Sequence, residues 1–383
     1  MNLEDLLVLI VEDNAVNQRL LATIVQSIGV SRIETAFNGR EGLEAIARAK
    51  PDLVLLDVMM PVMDGYEMCR RLRIEHGQTD LPVLFVTALN NPESRAACFD
   101  AGGTDMVSKP LNIAEVTARL RVHLQNRILL AGLQAYRTRM SEEVDLARST
   151  QEALHPNQRQ LDLIAERTGV TVCGSIETSS ELGGDFWTVY ETHRGDLGIL
   201  VADFTGHGVA ASFNTVRLHA LMARRPWELH GPGELLEFLN HELKRLLQPG
   251  QFAAALACEL TPGTGALTCA GAMTPQPLVM RANGSIEGIE VSGPPLGAFM
   301  NATYGLESMV LEPGETLLAY SDALVESVDH AHQPVVDQPT LLDWMREIGP
   351  AGDLVGGVWS RFHQRLPGRP PDDLTLVTLR RGA

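Results

Sequence analysis

The 383-residue chain has few cysteines, few aromatic residues and no long apolar run. Its five cysteines form no Cys-x-x-Cys pair and no cluster with metal-ligand spacing, which favours a reducing compartment over a disulfide framework. The longest apolar runs, Leu6–Val11 and Phe252–Cys258, are far shorter than the ~18 residues that span a bilayer. The N-terminus also lacks the basic start of a signal peptide. These absences predict a cytoplasmic protein without a membrane partner.

Basic residues are also scarce. The chain has 31 Lys and Arg against 48 Asp and Glu, which gives a formal net charge of −17. A field of this sign repels phosphate, and no basic recognition helix is visible, so nucleic acid is excluded as a partner. The chain is long, however, because 383 residues at roughly 150 per domain predict two or three domains.

The N-terminal third alternates short apolar runs with segments of helical spacing. This alternation predicts an α/β domain over residues 1–125, with a doubly wound, five-stranded parallel sheet. The predicted strands are Leu6–Val11, Ile33–Ala36, Leu53–Asp57, Val83–Thr87 and Met106–Val107.

A helical linker is predicted over residues 126–168. No proline occurs between Pro110 and Pro156, and Gly132 is the only glycine in that stretch. At alternating intervals of four and three residues from Leu129 to Leu154, six of the eight positions are apolar. This pattern fits a short coiled coil that would join two copies of the chain as a homodimer. It fits equally well a long helix that lies on one domain.

Residues 169–383 have a different texture, in which strands alternate with Gly/Pro turns and a few helices. This texture predicts an α+β sandwich. The predicted strands include Leu197–Ala202, Phe252–Leu260 and Thr316–Tyr320, and the predicted helices are Val209–Arg224, Gly233–Leu247 and Pro339–Ile348.

The first candidate site lies where the parallel strands end. Glu12, Asp13 and Asp57 follow strands one and three, while Thr87 and Lys109 follow strands four and five. In such sheets ligands bind beyond the carboxyl ends of the strands. Three carboxylates at one edge repel each other and call for a cation, and all-oxygen ligands suit Mg²⁺. A nucleophile, a metal and a fixed positive charge are what phosphoryl transfer to an aspartate requires.

These motifs resemble the receiver domain of response regulators. The resemblance covers about the first 125 residues and implies that Asp57 accepts a phosphoryl group from a sensor histidine kinase or phosphotransfer protein. It also implies that Glu12, Asp13, Asp57 and the Met59 carbonyl hold Mg²⁺, while Thr87 and Lys109 contact the phosphoryl oxygens. The matching segments are Val11-Glu12-Asp13-Asn14, Asp57-Val58-Met59-Met60-Pro61-Val62-Met63-Asp64-Gly65, Val86-Thr87-Ala88 and Ser108-Lys109-Pro110.

One position departs from the receiver pattern. Met106 stands three residues before the lysine, where the family usually has an aromatic residue that rotates inward on phosphorylation. Methionine is flexible enough to repack. The departure therefore concerns the conformational switch and leaves the phosphorylation chemistry in place.

The second candidate site consists of four aspartates in glycine-flanked or turn contexts after apolar runs. Asp185, Asp203, Asp322 and Asp372 are far apart in sequence. Aspartates cluster in turns in any protein, because their side chains bond to nearby backbone groups. Four such groups also suit two divalent metals, which can activate a water for in-line attack on phosphorus.

The C-terminal motifs look like those of the metal-dependent PPM-type serine/threonine phosphatases, in the SpoIIE/RsbU-like branch. The resemblance covers approximately residues 170–380. It implies an αββα sandwich with two Mn²⁺ or Mg²⁺ ions, held by the four aspartates and the Phe204 carbonyl. Its substrates are typically phosphorylated anti-anti-sigma (STAS) proteins. His207 is a candidate proton donor to the leaving alkoxide and is equally well explained as a helix-entry residue between two turn glycines.

Three positions depart from this branch. Thr188, Ala323 and Ala272 replace an aspartate, a glycine and a histidine of its common motifs. They motivate an alternative function, in which a catalytically weak or inactive phosphatase-like domain binds a sigma-factor regulator under receiver control. Because all four candidate ligands are present, we favour the enzyme: a two-component response regulator in which Asp57 phosphorylation controls a metal-dependent phosphoserine/phosphothreonine phosphatase.

Overall fold

The computed structural model describes residues 2–75, 77–88, 92–206, 208–224, 230–328 and 334–382. The chain divides into two compact units, Met1–Ser141 and Glu142–Ala383. Within the described ranges, none of the helices combines the length and the apolar character needed to cross a bilayer.

The first unit contains a five-stranded parallel sheet flanked by helices, as predicted. The strand order is β2-β1-β3-β4-β5, so the chain reverses its winding direction between β1 and β3. The strands are β1 (Leu7–Val11), β2 (Arg32–Ala36), β3 (Leu53–Asp57), β4 (Val83–Thr87) and β5 (Asp105–Ser108), and the helices are α1 (Ala15–Ser27), α2 (Gly39–Ala49), α3 (Gly65–Ile74) and α4 (Pro92–Asp100).

Both faces of the sheet are buried at β1, β3 and β4, which explains why these strands are nearly continuous apolar runs rather than alternating ones. Along β1, Val8 and Ile10 pack with α1, whereas Leu9 and Val11 pack with α2 and α3. The side chain of Asn14 accepts hydrogen bonds from the first turn of α1 and so fixes the start of that helix, directly after the strand end.

The predicted long helix is present as α5 (Ile113–Glu152), whose 40 residues extend about 60 Å. Val116, Leu120 and Leu124 are fully buried against the sheet of the first unit. Beyond them, residues of the predicted seam are largely exposed: Leu129 (69%), Leu133 (56%), Tyr136 (63%) and Met140 (47%).

The second unit contains two five-stranded antiparallel sheets. In the first, the order is β13-β10-β9-β8-β7, and in the second it is β12-β11-β14-β15-β6. The strands are β6 (Val170–Glu177), β7 (Asp185–Glu191), β8 (Leu197–Phe204), β9 (Ala253–Leu260), β10 (Ala266–Ala272), β11 (Leu278–Met280), β12 (Ile286–Gly288), β13 (Glu307–Val310), β14 (Thr316–Tyr320) and β15 (Leu374–Arg381).

The two sheets pack face to face, with helices on both outer sides. On β8, Ile199 and Val201 point into the core between the sheets, while Leu200 and Ala202 point toward the outer helices. The same alternation on β14 directs Leu317 to the inter-sheet core. These layers confirm the predicted αββα sandwich, whose described helices are α6 (Gln158–Thr168), α7 (Val209–Met222), α8 (Pro232–Leu246), α9 (Ala323–Glu326), α10 (Gln338–Ile348) and α11 (Leu354–Arg365).

Candidate functional site

The first site lies at the carboxyl edge of the parallel sheet, where the sequence predicted it. One carboxylate oxygen from each of Glu12, Asp13 and Asp57 lies within 4.8 Å of the others. Glu12 and Asp57 are buried and Asp13 is exposed. The Lys109 Nζ lies 2.9 Å from Glu12 Oε2 and 3.0 Å from Asp57 Oδ2. Thr87, at the end of β4, is fully buried, and its carbonyl accepts a hydrogen bond from the Lys109 backbone.

Three carboxylates face one ammonium group, so the charge of this site is not fully compensated and suits a bound cation. Burial and then the Glu12 charge raise the pKa of Asp57, although hydrogen bonding to Lys109 opposes the shift. Burial lowers the pKa of Lys109, but its hydrogen bonds to Glu12 and Asp57 outweigh this effect and raise the pKa overall. A divalent ion would lower the pKa of Asp57 and leave it available as a nucleophile.

The residues around Asp57 are fixed by close packing. A side chain at Gly65 would place its Cβ atom 2.2 Å from the Asp57 carbonyl oxygen, so only glycine fits there. The predicted ligand Met59 lies in the connection after β3, with an exposed side chain, so that its contribution would be its carbonyl. Met106 is paired with Phe85 across β4 and β5 and is buried in the core on the side of α2 and α3.

The second site joins strands that are distant in sequence. Asp185 at the start of β7 pairs directly with Asp203 near the end of β8. The sequence had predicted that β8 ends at Ala202, but the strand continues to Phe204 and therefore carries Asp203 within it. Asp322 follows β14, and Asp372 precedes β15, the neighbour of β14 in the other sheet.

The charges of these aspartates influence one another strongly. Burial, followed by the charges of Asp322 and Asp372, raises the pKa of Asp203 to about 8. Burial and the Asp203 charge raise the pKa of Asp185 well above its ordinary value. The Oδ2 atom of Asp185 accepts a hydrogen bond from Thr375 Oγ1 at 2.5 Å. Among the described residues, its Oδ1 atom is buried without any hydrogen-bond partner.

This unsatisfied oxygen fits a site for divalent cations. A buried carboxylate oxygen without a partner is costly, and a bound cation removes that cost. Asp185, Asp203, Asp322 and Asp372 are hard oxygen donors of the kind that Mg²⁺ and Mn²⁺ prefer. The chemistry of these donors therefore suits the metals implied by the sequence.

The glycine pair before Asp185 is explained by crowding. A Cβ atom on Gly184 would lie 2.9 Å from the Phe204 carbonyl oxygen, the predicted backbone ligand. A Cβ atom on Gly183 would lie 2.6 Å from Thr178 and 2.9 Å from the Asp373 carboxylate. Glycine is therefore required at both positions if the loop is to approach the site closely.

Three residues that support the site were not predicted from the sequence. Asp373 is buried and accepts hydrogen bonds from the Ser179 and Gly184 backbone N–H groups, which holds the loop before Asp185. Thr375 orients Asp185. Both residues belong to the segment Asp372-Asp373-Leu374-Thr375, so their proximity to a predicted ligand was the available signal.

The third, Gln151 on the last turn of α5, had no local signal at all. Its Nε2 atom donates to the Gly183 carbonyl at 2.7 Å, and its Oε1 atom accepts from the Gly183 N–H at 3.2 Å. Gln151 is buried, and its Nε2 atom also lies 3.1 Å from Thr215 Oγ1. The end of the long helix is thus bonded directly to the glycine pair of the second site.

Two of the three departures from the phosphatase pattern lie away from the aspartates. Thr188 is three residues from Asp185 on β7, and side chains alternate along a strand, so the two point to opposite faces. Phe186 and Tyr190, on the same face as Thr188, pack in the core beneath the outer helices. Ala272 is buried in that same core.

The third departure, Ala323, is the first residue of α9 and is buried beside Asp322. The predicted proton donor, His207, lies outside the described residues.

Two family models match separate parts of the chain. Residues 8–121 match the model of the response regulator receiver domain, and residues 193–382 match that of Stage II sporulation protein E (SpoIIE). The chain therefore has a receiver domain at its N-terminus, followed by a SpoIIE-like domain with the PP2C fold.

Individual relatives match between about a third and two fifths of the chain. Response regulator MprA of Mycolicibacterium vanbaalenii is 42% identical over 118 residues, which are 31% of this chain and 50% of that protein. The DNA-binding dual master transcriptional regulator RpaA of Synechocystis is 31% identical over 160 residues, which are 42% of this chain and 59% of that protein. The chain spans about half the length of the curated relatives it matches.

A solved structure gives an independent view of the fold of the second unit. The SiaA-PP2C domain of Pseudomonas aeruginosa superposes with a TM-score of 0.56 at 18% identity, covering 64% of this chain and 98% of that one. At this identity the similarity concerns the fold alone.

Proposed function

We propose that phosphorylation of Asp57 controls a metal-dependent phosphatase site formed by Asp185, Asp203, Asp322 and Asp372, which removes phosphate from serine or threonine of a protein. The observation that carries the proposal is the unpartnered, buried Oδ1 atom of Asp185 beside Asp203. A buried carboxylate oxygen without a hydrogen-bond partner is destabilising, and a cation bound at this position would remove that cost.

The residues of the second site have separable roles in this proposal. Two divalent ions, when bound, supply an activated water and neutralise the charge that develops on the phosphoryl oxygens. Asp185 and Asp203 would hold them from one sheet, and Asp322 and Asp372 from the other. Thr375 holds a ligand in place by donating a hydrogen bond to Asp185. Asp373 holds the glycine loop in place by accepting a hydrogen bond from the Gly184 N–H.

In the receiver, Asp57 would accept the phosphoryl group from a sensor histidine kinase or phosphotransfer protein. Glu12, Asp13 and the Met59 carbonyl would join Asp57 in holding Mg²⁺. Lys109, which already contacts Asp57, would pair with the added phosphoryl oxygens.

The proposed substrate is a phosphorylated anti-anti-sigma protein of the STAS class. This choice is supported by the SpoIIE match over residues 193–382 and by the motifs that resemble the SpoIIE/RsbU-like branch. The positions of Thr188 and Ala272, on the helix side of the sheet, remove part of the motivation for an inactive adaptor.

The first experiment measures hydrolysis of p-nitrophenyl phosphate with Mn²⁺ by the parent and by Asp203→Asn and Asp322→Asn. We expect metal-dependent turnover in the parent and a loss of at least a hundredfold in both variants, since each removes a metal ligand. Asp343→Asn, at an exposed position on α10, is the matched control.

The second experiment measures phosphate release from phosphorylated STAS proteins, with and without an acyl-phosphate donor. Release that changes with the donor supports both the substrate and the control. Absence of hydrolysis of either substrate, in both receiver states, would favour the adaptor instead.

A further inference from the structure

Helix α7 is apolar on both of its faces. Its inner face is buried, with Leu218, Leu221 and Met222 in the core beneath the first sheet of the sandwich. Its outer face exposes Val209 (60%), Phe213 (61%) and other apolar side chains to solvent. A helix at the surface of a domain normally has a polar outer face, and an apolar one indicates a partner.

The exposed apolar residues form one continuous stripe. Val209, Phe213, Val216 and Ala220 follow each other at intervals of four, three and four residues, which places them on the same side of the helix. Val216 is 43% exposed, and Arg217 lies beside it, exposed as well. These five residues are called the outer face of α7 below.

The outer face of α7 begins at the rim of the second site. Val209 is six residues after Asp203, and the Gly208 N–H donates to the Leu182 carbonyl in the loop that precedes Asp185. On the opposite side of the helix, Ala211 lies 3.0 Å from the place that a Cβ atom of Gly184 would occupy. The stripe therefore starts beside the metal-ligand loop and extends away from it along the helix.

The charge of this segment is opposite to that of the chain. No Asp or Glu occurs from Phe204 to Trp227, although the chain has 48 of them in 383 residues. The segment carries Arg217, Arg224 and Arg225 instead. Arg224 pairs with Glu242, while the Arg217 guanidinium bonds to the neutral Asn214 amide and keeps its charge uncompensated in that contact. A basic and apolar strip beside an acidic site complements an acidic partner.

We propose that the outer face of α7 docks the phosphoprotein substrate, which would present an apolar patch bordered by carboxylates next to its phosphorylated residue. The inference rests on the proposed function and adds to it the surface that recognises the protein part of the substrate. The outer face begins beside the loop that precedes Asp185, next to the place that the phosphorylated residue would occupy, and this position favours the substrate over a second copy of the chain.

The test is a binding measurement that does not require catalysis. Isothermal titration in EDTA, with the full chain and a serine-phosphorylated STAS protein as the probe, gives the Kd of the parent, Phe213→Ser and Arg217→Glu. We expect each variant to weaken binding about tenfold or more, as residues at the centre of an interface do. Arg217→Glu should also reduce the salt dependence of the Kd.

Matched controls come from α8, which belongs to the same domain. Leu246 is 44% exposed and Arg245 is exposed, so Leu246→Ser and Arg245→Glu repeat the two chemical changes elsewhere. Both controls should bind like the parent. Val216→Ser serves as a second stripe variant if Phe213→Ser lowers the unfolding temperature.

Three outcomes would overturn the proposal: a Kd unchanged in the stripe variants, no binding of any phosphorylated STAS protein by the parent, or stripe variants that convert a dimer of the chain to a monomer. The last would assign the outer face of α7 to a second copy. Failure of the proposed function is read separately, as absence of phosphate release by the parent with Mn²⁺, because binding in EDTA is measured without hydrolysis.

Discussion

In both sites, burial and the charges of neighbouring carboxylates raise the pKa of individual aspartates. Asp57 has Lys109 to offset part of this cost. Asp185 and Asp203 have no Lys or Arg partner among the residues that the structure describes, and Asp203 reaches a pKa of about 8. The receiver site is thus partly compensated by the protein itself, whereas in the proposed function a bound cation compensates the second site.

The Asp203 pKa leads to a prediction about stability in the absence of metal. Its folded value of about 8 lies above the ordinary value of 3.8, so the folded state favours the neutral form. The contribution to stability is therefore complete below pH 3.8 and is lost as the pH rises through 8. In EDTA, we expect the unfolding temperature of the second unit to fall between pH 5 and 9, and to fall less in Asp203→Asn.

Asp343→Asn, which removes an exposed carboxylate, should keep the pH profile of the parent. Adding Mn²⁺ to the parent should offset the fall, because the ion stabilises the ionised form. Parallel profiles for the parent and Asp203→Asn in EDTA would show that this carboxyl is not the source of the effect.

The hydrogen bonds of Gln151 lead to a second prediction for a single residue, about stability and turnover. Gln151→Glu replaces the amide that donates to the Gly183 carbonyl by an acceptor, and so leaves that carbonyl facing a carboxylate. We expect a loss of about 1–3 kcal/mol in the free energy of unfolding. Hydrolysis of p-nitrophenyl phosphate should fall as well, because the glycine loop before Asp185 loses its anchor.

Urea denaturation and steady-state turnover measure the two effects of Gln151→Glu. Gln134→Glu, at an exposed position on the same helix, introduces the same charge and is the control. If both variants retain the parent's stability and turnover, the Gln151 contact has no role in holding the loop.

At the scale of elements, helix α5 carries contacts to both the receiver sheet and the loop of the second site. Val116, Leu120 and Leu124 pack on the receiver sheet, and Gln151 near its end bonds to the loop of the second site. Between these contacts, the helix exposes the apolar stripe that includes Leu133 and Tyr136. Large exposed apolar side chains at four-three spacing favour pairing with an identical stripe, which keeps the homodimer a proposal.

This proposal predicts the effect of one charge in the stripe. Leu133→Glu places a carboxylate at a seam position of each helix, so we expect a dimeric parent and a monomeric variant. Sedimentation velocity, with and without an acyl-phosphate donor, measures the state of each. Gln134→Glu, one position outside the seam, should behave as the parent. A monomeric parent under both conditions would eliminate dimerisation through α5.

At the scale of the whole molecule, the proposal requires that the receiver state changes hydrolysis. An acyl-phosphate donor should change the rate of phosphate release by the parent, and should have no such effect in Asp57→Asn, which lacks the phosphoacceptor. Asp100→Asn, at an exposed position on α4, should respond like the parent. A response that persists in Asp57→Asn would separate the two sites functionally.

Much of the fold could be predicted from local patterns. The five parallel strands, the long helix and the sandwich layers follow from apolar periodicity, turn residues and the absence of proline. The end of β8 was placed two residues too early, since Asp203 and Phe204 do not look like strand residues by themselves. They remain in the strand because Ala253 and Ala254 of β9 pair with them.

The sequence by itself determined which residue types could do chemistry, because carboxylates, a lysine and paired glycines occur in recognisable order. Only the tertiary structure decided which of them meet and what surrounds them. The pairing of Asp185 with Asp203, the bonds from Gln151 to Gly183 and the opposite orientation of Thr188 depend on strand register and helix packing. Those contacts join residues that are distant along the chain, so they exist only once the strands have paired and the helices have packed on them.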